Sequence, residues 1–448
     1  MSDNLSGQKS RRQFIGGAAT VAATAITASV MPTTAEGMAR IKGANDRIHI
    51  GHVGVGVQGY GAHVRLMKGK AADNNTEQIA VCDLYGRRIQ EAQKEMNLTN
   101  SQTYTDFRKM MSNKNIDAVV VATSDNWHAE VAIAAMQSGK HVYIEKPMCK
   151  TVDEAFKLYD TVKSTKRTLQ VGSQGCTDPK YKAVAEIVKS GKLGHPVVAQ
   201  GNYMRNGRVG EWNNYGRFDV DAGPTASGVA HVDWETFRKG TQPKEYDADR
   251  FFRWRKYWEY GSGLVGDLFP HKLHPLFIAL GLETTGDKGW PLRVSSGGGL
   301  YVQKVHPYLK NADGSPRIDR EVPDFVNINV DFGDVSLMAM SSTINEEGWV
   351  DSIRCNKGTI FFSGNRIEVK PERTWSDEVD PSSVQAPGNG EPIDAHEKNW
   401  FDCIRSGAMP NCNIELATRV QVMISLAERA FRESKTFTFD PKTRKVSS

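Results

Sequence analysis

The stretch that decides the fold reads Gly-His-Val-Gly-Val-Gly-Val-Gln-Gly over residues 51–59, and the apolar run Ile48–Val53 leads into it. A helical pattern follows, and a glycine-rich turn between a strand and a helix is the context of a dinucleotide-binding loop. In such a loop Gly54 permits a tight turn, Gly56 lets the backbone approach a pyrophosphate, and Gly59 lets the helix pack on the strand. The helix N-terminus then offers free N–H groups to phosphates.

A second feature supports a nucleotide site, because residues 79–82 resemble the next buried strand and Asp83 ends it. Asp83 lies 24 residues after Gly59, near the spacing of about 20 at which an acidic residue binds the adenine ribose hydroxyls. An aspartate there could also simply end a strand or cap a helix. Its carboxylate would repel a 2′-phosphate, so the expected cofactor is NAD rather than NADP. Arg87 and Arg88 follow closely and could in principle pair with such a phosphate.

The composition describes a globular protein of more than one domain. The chain has 448 residues, of which 39% are hydrophobic and 24% charged, and this length exceeds one typical core. The net charge of +5 is small, and no long Lys/Arg block occurs, so nucleic acid is not an expected partner. The six cysteines show no metal-ligand spacing, so we expect no metal site. Free buried thiols are expected, although a disulfide stays possible.

The N-terminus has the character of a targeting segment. Ser-Arg-Arg-Gln-Phe-Ile over residues 10–15 resembles a twin-arginine export signal, and an Ala/Gly/Thr/Val run follows it. Residues 1–39 are therefore predicted to be a signal peptide, the export machinery a partner, and the periplasm the destination. A disordered tail with a chance arginine pair is the alternative. No stretch of 18 apolar residues occurs after this segment, so no membrane-spanning helix is expected.

Two folding patterns divide the rest of the chain. Residues 46–170 alternate strand and helix patterns, which predicts a doubly wound parallel sheet, a Rossmann domain. Residues 171–448 are expected to form an α+β substrate-binding domain with a large, open, mainly antiparallel sheet, whose free face favours a homo-oligomer. Residues 207–250 show little periodicity and are expected to be a long insertion at the substrate side. Residues 376–393 are expected to form a surface loop.

Lys146 is the first candidate for chemistry. It follows a predicted strand in the run Glu-Lys-Pro, residues 145–147. In a parallel sheet such a lysine, fixed by the following proline, projects over the carboxyl edge where a nicotinamide would lie. Its ammonium can polarise a carbonyl or hydrogen-bond the hydroxyl that is oxidised. The alternative is a surface lysine in a loop.

Asp267 and His271 form the second candidate. They are four residues apart, so one helical turn would place both on the same face. Histidine titrates near neutrality and suits the removal of a proton from a sugar hydroxyl. Asp267 would position the histidine or bind a neighbouring hydroxyl. A capping aspartate beside a solvent-exposed histidine is the alternative.

Four motifs, in this order, resemble the glucose–fructose oxidoreductase and inositol dehydrogenase family (Gfo/Idh/MocA). The resemblance extends over nearly everything after residue 46. The motifs are Gly-Val-Gly-Val-Gln-Gly (54–59), Thr-Ser-Asp-Asn-Trp-His (123–128), Glu-Lys-Pro (145–147) and Gly-Asp-Leu-Phe-Pro-His (266–271).

This resemblance assigns the site residues. It implies that Lys146, Asp267 and His271 are catalytic. Tyr203 and Arg255 are candidates for substrate contact, and the aromatic run 251–260 could stack on sugar rings or belong to the core. The residues expected at the cofactor are Gly54, Gly56, Val57, Gln58, Gly59, Asp83, Asn126, Trp127, His128, Glu145, Lys146 and Gln174.

The expected function is hydride transfer between tightly bound NAD(H) and a hydroxyl or carbonyl of a sugar, polyol or glycoside. Free cofactor is scarce outside the cytoplasm, but twin-arginine export moves folded proteins, so the cofactor can travel already bound. One alternative stays open because it needs no second substrate: an NAD-dependent glycosidase that works through transient sugar oxidation and elimination. A further alternative is a non-catalytic sugar-binding protein.

Overall fold

The computed structural model of the chain describes residues 46–214, 218–282, 286–388, 390 and 392–448. The expected signal peptide, residues 1–39, lies outside the described residues. Among the helices that are described, none is long and apolar enough to cross a membrane. All six cysteines are buried and none is in a disulfide.

The first half contains a six-stranded parallel sheet. Its strands are β1 (Ile48–Val53), β2 (Thr76–Cys82), β3 (Thr103–Tyr104), β4 (Ala118–Val121), β5 (His141–Glu145) and β6 (Leu169–Gly172). They lie in the order β3-β2-β1-β4-β5-β6. From β1 the chain adds β2 and β3 on one side, and it then adds β4, β5 and β6 on the other side of β1. In such doubly wound sheets ligands bind at the carboxyl ends of the strands, beside this switch point.

Helices connect these strands, as the alternating pattern predicts. They are α1 (Arg65–Gly69), α2 (Ala71–Asn74), α3 (Gly86–Met96), α4 (Phe107–Met111), α5 (Asp125–Gln137) and α6 (Val152–Thr165). A π-helical turn, Gly59–Val64, precedes α1. The start of α6 is a capping box, because Thr151 and Glu154 each bond the other's backbone N–H.

The second half forms a sheet of eleven strands. Its members are β7 (Pro196–Asn206), β8 (Arg293–Gly299), β11 (Phe325–Asp331), β12 (Ser336–Ser342), β13 (Ile344–Asn345), β14 (Ser352–Cys355), β15 (Gly358–Phe361), β16 (Arg366–Pro371), β17 (Ser382–Gln385), β18 (Phe437–Asp440) and β19 (Lys445–Ser447), while β9 (Val305–Lys310) and β10 (Pro316–Ile318) form a separate hairpin. The order is β17-β16-β15-β14-β7-β12-β11-β8-β18-β19, with β13 against β7. Only β7 and β12 pair in parallel among these strands. The predicted fold class is confirmed.

Helices cover one face of this sheet. The second half contains α7 (Pro179–Lys189), α8 (Trp234–Arg238), α9 (Ala248–Phe252), α10 (Gly263–Asp267), α11 (Pro270–Leu280), α12 (Ile393–Ser406) and α13 (Ile414–Glu433). Helices α7, α11 and α13 pack on one another or on the sheet, whereas α12 packs on α1 and β6. The largest apolar core runs without a break from the first sheet to the second, so residues 47–448 form one compact unit.

Candidate active site

The glycine-rich loop has the geometry that its sequence predicts. Gly54 has a φ of +83°, and a Cβ there would lie 2.5 Å from the carbonyl oxygen of Ala122. A Cβ on Gly59 would lie 2.1 Å from the carbonyl oxygen of Gly54. Neither position accepts a side chain. Gly56 faces a cavity. The N–H of Tyr60 already donates to the carbonyl oxygen of Gly56 at 2.8 Å, so the N–H groups that this helix start leaves for a phosphate are those that precede Tyr60.

A cavity of about 350 Å³ opens at this loop, and we call it the nucleotide cavity. Asp83 lines it. The Oδ2 atom of Asp83 accepts the N–H of Val55 at 2.8 Å, and its Oδ1 accepts the N–H of Tyr85 at 3.0 Å. The backbone thereby fixes the carboxylate in place, and the remaining lone pairs can accept ribose hydroxyls.

The two arginines after Asp83 have different surroundings. Arg87 Nη1 lies 3.2 Å from a carboxylate oxygen of Asp219 and 2.7 Å from one of Asp221, so its charge is already paired. Arg88 lines the nucleotide cavity, and its guanidinium carbon lies 5.4 Å from the ring centre of Phe251. Of these two arginines, Arg88 is therefore the one that could approach a phosphate in this cavity.

The insertion at residues 207–250 does not lie only at the substrate side, as its position in the sequence suggested. Asp233, Thr236 and Phe237 line the nucleotide cavity, as does Trp127. Trp127 Nε1 donates to the carbonyl oxygen of Phe237 at 3.2 Å, which ties the insertion to α5. The insertion thus forms part of the wall of the nucleotide cavity, and Phe237 also packs into a buried aromatic cluster.

The aromatic run at residues 251–260 belongs mostly to this cluster. Trp254 lines the nucleotide cavity and the cavity beside it, whereas Phe251 and Phe252 line the nucleotide cavity only. Stacking on a ligand in the nucleotide cavity is therefore open to these three residues of the run, and stacking in the adjoining cavity to Trp254. The buried members are Phe251, Phe252, Tyr257 and Tyr260.

A second cavity, of about 210 Å³, adjoins the first, and we call it the Lys146 cavity. The two share one wall, formed by Val57, Gln58, Ala122, Thr123, Trp254 and Arg255. The structure brings the three predicted catalytic residues together in the second cavity. The predicted site residues that line it are Val57, Gln58, His128, Glu145, Lys146, Gln174, Tyr203, Arg255, Asp267 and His271.

Asp267 is the centre of a hydrogen-bond cluster in this cavity. Lys146 Nζ donates to its carbonyl oxygen at 2.6 Å and to its Oδ1 at 2.9 Å. Arg255 Nε donates to the same Oδ1 at 3.1 Å, and Trp212 Nε1 donates to Oδ2 at 2.9 Å. Burial raises the pKa of Asp267, but the charges of Lys146 and Arg255 outweigh it and hold that pKa well below its usual range. Asp267 is an anion at neutral pH.

Lys146 is a cation for the complementary reason. Burial lowers the pKa of Lys146, but the neighbouring charge of Asp267 outweighs burial, so the pKa is raised. An ammonium has three donors, and Asp267 uses two of them. Lys146 is therefore a hydrogen-bond donor to a ligand in the cavity, and it is not a proton acceptor at neutral pH.

Asp267 and His271 do not share one helical turn, so that expectation is wrong. Asp267 is the last residue of α10, and His271 is the second residue of α11. The break arises because Pro270 has no N–H and starts the new helix. Both side chains nevertheless reach the Lys146 cavity.

His271 lies against Tyr203, with ring centres 4.9 Å apart and an interplanar angle of 26°. On β7, Arg205 stacks on the same tyrosine, 5.1 Å from its ring centre, and pairs with Glu211 at 2.7 Å. The stack holds the imidazole at the wall of the cavity, where a ring nitrogen can accept or donate a hydrogen bond to a ligand.

The side chains of the motif at residues 123–128 lie in different surroundings. Asn126 lies outside the walls of both cavities, and its Oδ1 accepts from Ser124 Oγ at 2.7 Å. The His128 ring is buried between two backbone oxygens, with Nδ1 2.6 Å from that of Pro147 and Nε2 3.2 Å from that of Thr123. His128 therefore connects the motif to the segment that carries Lys146.

Glu145 is held by a buried network that the sequence did not reveal. His63 Nε2 lies 2.9 Å from Glu145, and its Nδ1 lies 2.7 Å from Glu397 on α12. Burial lowers the pKa of His63, but the hydrogen bonds and charges of the two glutamates raise it to about 9. Glu145 also accepts from Gln58 Nε2 at 3.0 Å and from the N–H of Lys146 at 3.1 Å. It thereby connects the glycine-rich loop to Lys146.

Two further residues that contribute to this site were not singled out from the sequence: Trp212, which donates to Asp267, and Asp125. Trp212, only 1% exposed, has a φ of +68°, a left-handed conformation that is costly for a tryptophan. Asp125 lines the cavity, and burial raises its pKa to about 7. Asp125 could have been found, because it stands inside the motif at 123–128. Trp212 could not, because its surroundings show no pattern.

Comparison with known proteins agrees with this geometry. A family model described as "Oxidoreductase family, NAD-binding Rossmann fold" (GFO_IDH_MocA) matches residues 48–173. The match covers the part of the chain that forms the six-stranded parallel sheet, so this part is similar to the NAD-binding Rossmann domain of that family. The NAD cofactor that the sequence predicts is thereby confirmed.

Some curated relatives match a larger share of the chain than the family model does. Each match nevertheless covers only part of the relative's own length. Inositol 2-dehydrogenase of Salmonella typhimurium is 29% identical over 163 residues, which are 36% of this chain and 47% of that protein. A glycosyl hydrolase family 109 protein of Shewanella putrefaciens is 27% identical over 233 residues, which are 46% of this chain and 50% of that protein. The chain thus matches about half the length of these relatives.

Solved structures share the whole fold. A levoglucosan dehydrogenase in complex with NADH and levoglucosan has a TM-score of 0.61 at 17% identity and covers 87% of this chain and 98% of its own. An NAD-binding oxidoreductase from Klebsiella pneumoniae has a TM-score of 0.63 at 18% identity and covers 88% and 99%. At these identities the likeness extends to the fold.

Proposed function

We propose that this protein is an oxidoreductase that transfers a hydride between tightly held NAD(H) and a hydroxyl or carbonyl of a sugar, polyol or glycoside. The observation that carries the proposal is the wall that the nucleotide cavity shares with the Lys146 cavity. It places Lys146, Asp267 and His271 directly beside an NAD-binding domain. A site of this composition suits the oxidation of an alcohol.

A bound nicotinamide supplies the hydride acceptor or donor. The Lys146 ammonium donates to the reacting oxygen and stabilises the negative charge that develops there. His271 takes up the hydroxyl proton during oxidation and returns it during reduction. Asp267 keeps Lys146 charged and oriented, and its own strongly lowered pKa makes it unsuited to accept the proton.

Tight retention of the cofactor rests on the insertion. Asp233, Thr236 and Phe237 line the nucleotide cavity, so the insertion would contact a bound dinucleotide and slow its release. NAD is favoured over NADP because Asp83 presents its carboxylate in that cavity and Arg87 is already paired. Protein purified without added cofactor and then denatured should release NAD(H), identified by chromatography. Recovery of mainly NADP(H) would show that Arg88 governs the site.

The second candidate is an NAD-dependent glycosidase, favoured by the similarity to glycosyl hydrolase family 109 proteins. In that reaction a sugar oxidised at one hydroxyl loses its glycosidic group by elimination, takes up water and is reduced again. The cycle consumes no second substrate, which suits an enclosed cofactor. Incubation with p-nitrophenyl glycosides separates the two: sustained release of nitrophenol without net cofactor reduction supports the glycosidase. A non-catalytic protein would give neither signal.

Trp212 is the subject of a prediction on positioning. In Trp212→Phe the ring stays, but Asp267 loses the donor at Oδ2, so its pKa rises and its hold on Lys146 weakens. We expect kcat to fall about 10-fold, with the bound cofactor unchanged. Trp234→Phe is the matched control, because Trp234 Nε1 donates at the same 2.9 Å to a backbone oxygen, that of Lys244. Equal losses of kcat in the two variants would show that the hydrogen bond from Trp212 to Asp267 has no specific role in the mechanism.

We further propose that the protein is exported folded through the twin-arginine route to the periplasm. Replacing Arg11 and Arg12 by lysine should leave the protein in the cytoplasm with its signal uncut, because the route requires the arginine pair. Cell fractionation measures the outcome. Arg40→Lys, an equally conservative change outside the pair, should be exported normally. Normal export of the double variant would refute this assignment.

A further inference from the structure

A third cavity, of about 150 Å³, lies beside the active site, and we call it the Lys180 cavity. His271 lines both this cavity and the Lys146 cavity. The two cavities are therefore neighbours across the residue proposed to transfer the proton. The Lys180 cavity carries charged groups that the mechanism above does not use: Asp178, Lys180, Lys272 and Asp351.

Lys180 is the informative member of this group. It is 6% exposed, yet among the described residues the polar contacts of its Nζ are a 3.4 Å hydrogen bond to the carbonyl oxygen of Gly364 and a 4.0 Å approach to Asp178. Its charge also faces the Tyr181 ring, 5.3 Å from the ring centre. Burial of an ammonium with such long contacts is costly, and burial lowers the pKa of Lys180. Its donors are left for a ligand in the cavity.

The two carboxylates supply acceptors and balance the charge. Asp178 Oδ2 accepts the N–H of Gly390 at 2.9 Å, and Asp351 Oδ2 accepts from Lys272 Nζ at 2.8 Å. Two ammonium groups thus face two carboxylates. A cavity with donors and acceptors but no net charge suits a neutral, hydroxyl-rich ligand better than an anion.

We propose that the Lys180 cavity is a second sugar subsite, which binds the glycosyl unit linked to the sugar that reacts beside His271. This inference rests on the proposed function and names its substrate class: a glycoside of at least two sugar units rather than a free monosaccharide. The donors of Lys180 bind hydroxyls of the second unit, and the carboxylates of Asp178 and Asp351 accept from others.

Calorimetric binding to the full-length holoprotein tests the subsite independently of turnover. Maltose, cellobiose and lactose are compared with glucose and galactose. We expect at least one disaccharide to bind about 10-fold or more tightly than its component monosaccharides. Lys180→Met should abolish this advantage, because the ammonium donors are lost while the volume is kept. If that variant does not fold, Lys180→Arg replaces it, since the larger guanidinium occupies space that the second sugar needs.

Lys182→Met is the matched control, because Lys182 lies on the same helix but is exposed. It should keep the disaccharide advantage. The subsite is refuted if no disaccharide binds more tightly than its components, or if Lys180→Met retains the difference. Reduction of the bound cofactor, measured in the same samples, reports on the proposed function alone. Sugars that bind without reducing the cofactor would therefore refute the oxidoreductase and leave the subsite supported.

Discussion

Lys146→Met is expected to reduce kcat by about 10³-fold while the protein stays folded and retains NAD. The methionine has a similar volume but no donor, so the reacting oxygen loses the hydrogen bond and the positive charge of the ammonium. Asp267 also loses its main cation, and burial then raises its pKa toward the ordinary range. Steady-state turnover of a verified sugar measures the effect, and the cofactor content of the purified variant verifies that binding persists.

Lys140→Met is the control for the loss of a buried ammonium. Lys140 is 3% exposed, and its Nζ donates to the carbonyl oxygens of Asn113 and Ile116 at 2.8 and 2.9 Å, away from both cavities. That variant should lose stability but keep kcat within about 3-fold. If Lys146→Met turned over at a rate near that of the wild type, the catalytic assignment of Lys146 would be wrong.

His271→Gln is expected to lower kcat by roughly 10²–10⁴-fold, the contribution of a positioned general base. Glutamine can still form hydrogen bonds but cannot accept a proton near neutral pH. The deficit should therefore be largest around neutrality and shrink in alkaline solution, where hydroxide replaces the base. A pH–rate profile measures this directly.

His274→Gln provides the comparison on the same helix. His274 is buried, and its Nδ1 lies 3.1 Å from the carbonyl oxygen of Pro270. Burial lowers the pKa of His274 to about 3, so it is neutral in the range where His271 is proposed to work. A similar loss of kcat in both variants, with no dependence on pH, would reveal a structural effect and contradict the role of His271.

The parts of the fold that the sequence predicts are those with local signals. The glycines of the loop occupy positions where a Cβ cannot fit, and the strands of the first sheet are buried runs. Strand β17, Ser382–Gln385, was missed inside the expected surface loop at 376–393 because all four residues are exposed on an edge strand. The path of the insertion was missed because its aromatic residues pack without helical or strand periodicity.

The residues of the site also divide into those with a local sequence signal and those without one. Lys146, Asp267 and His271 stand in recognisable motifs, and the structure brings them together. The groups that hold them are distant in the sequence: His63 and Glu397 are 334 residues apart. No spacing rule connects such residues, because only the packing of α12 against the first sheet places them side by side.

Rapid mixing of the purified holoenzyme with glucose, galactose and the three disaccharides, without added cofactor, tests the central claim most directly. The account predicts that at least one of these sugars converts bound NAD to its reduced form, seen as the near-ultraviolet absorbance of reduced nicotinamide, and that Lys146→Met shows no such change on the same timescale. Bound NAD that stays oxidised with every sugar, or equal reduction in the wild type and in Lys146→Met, would contradict it.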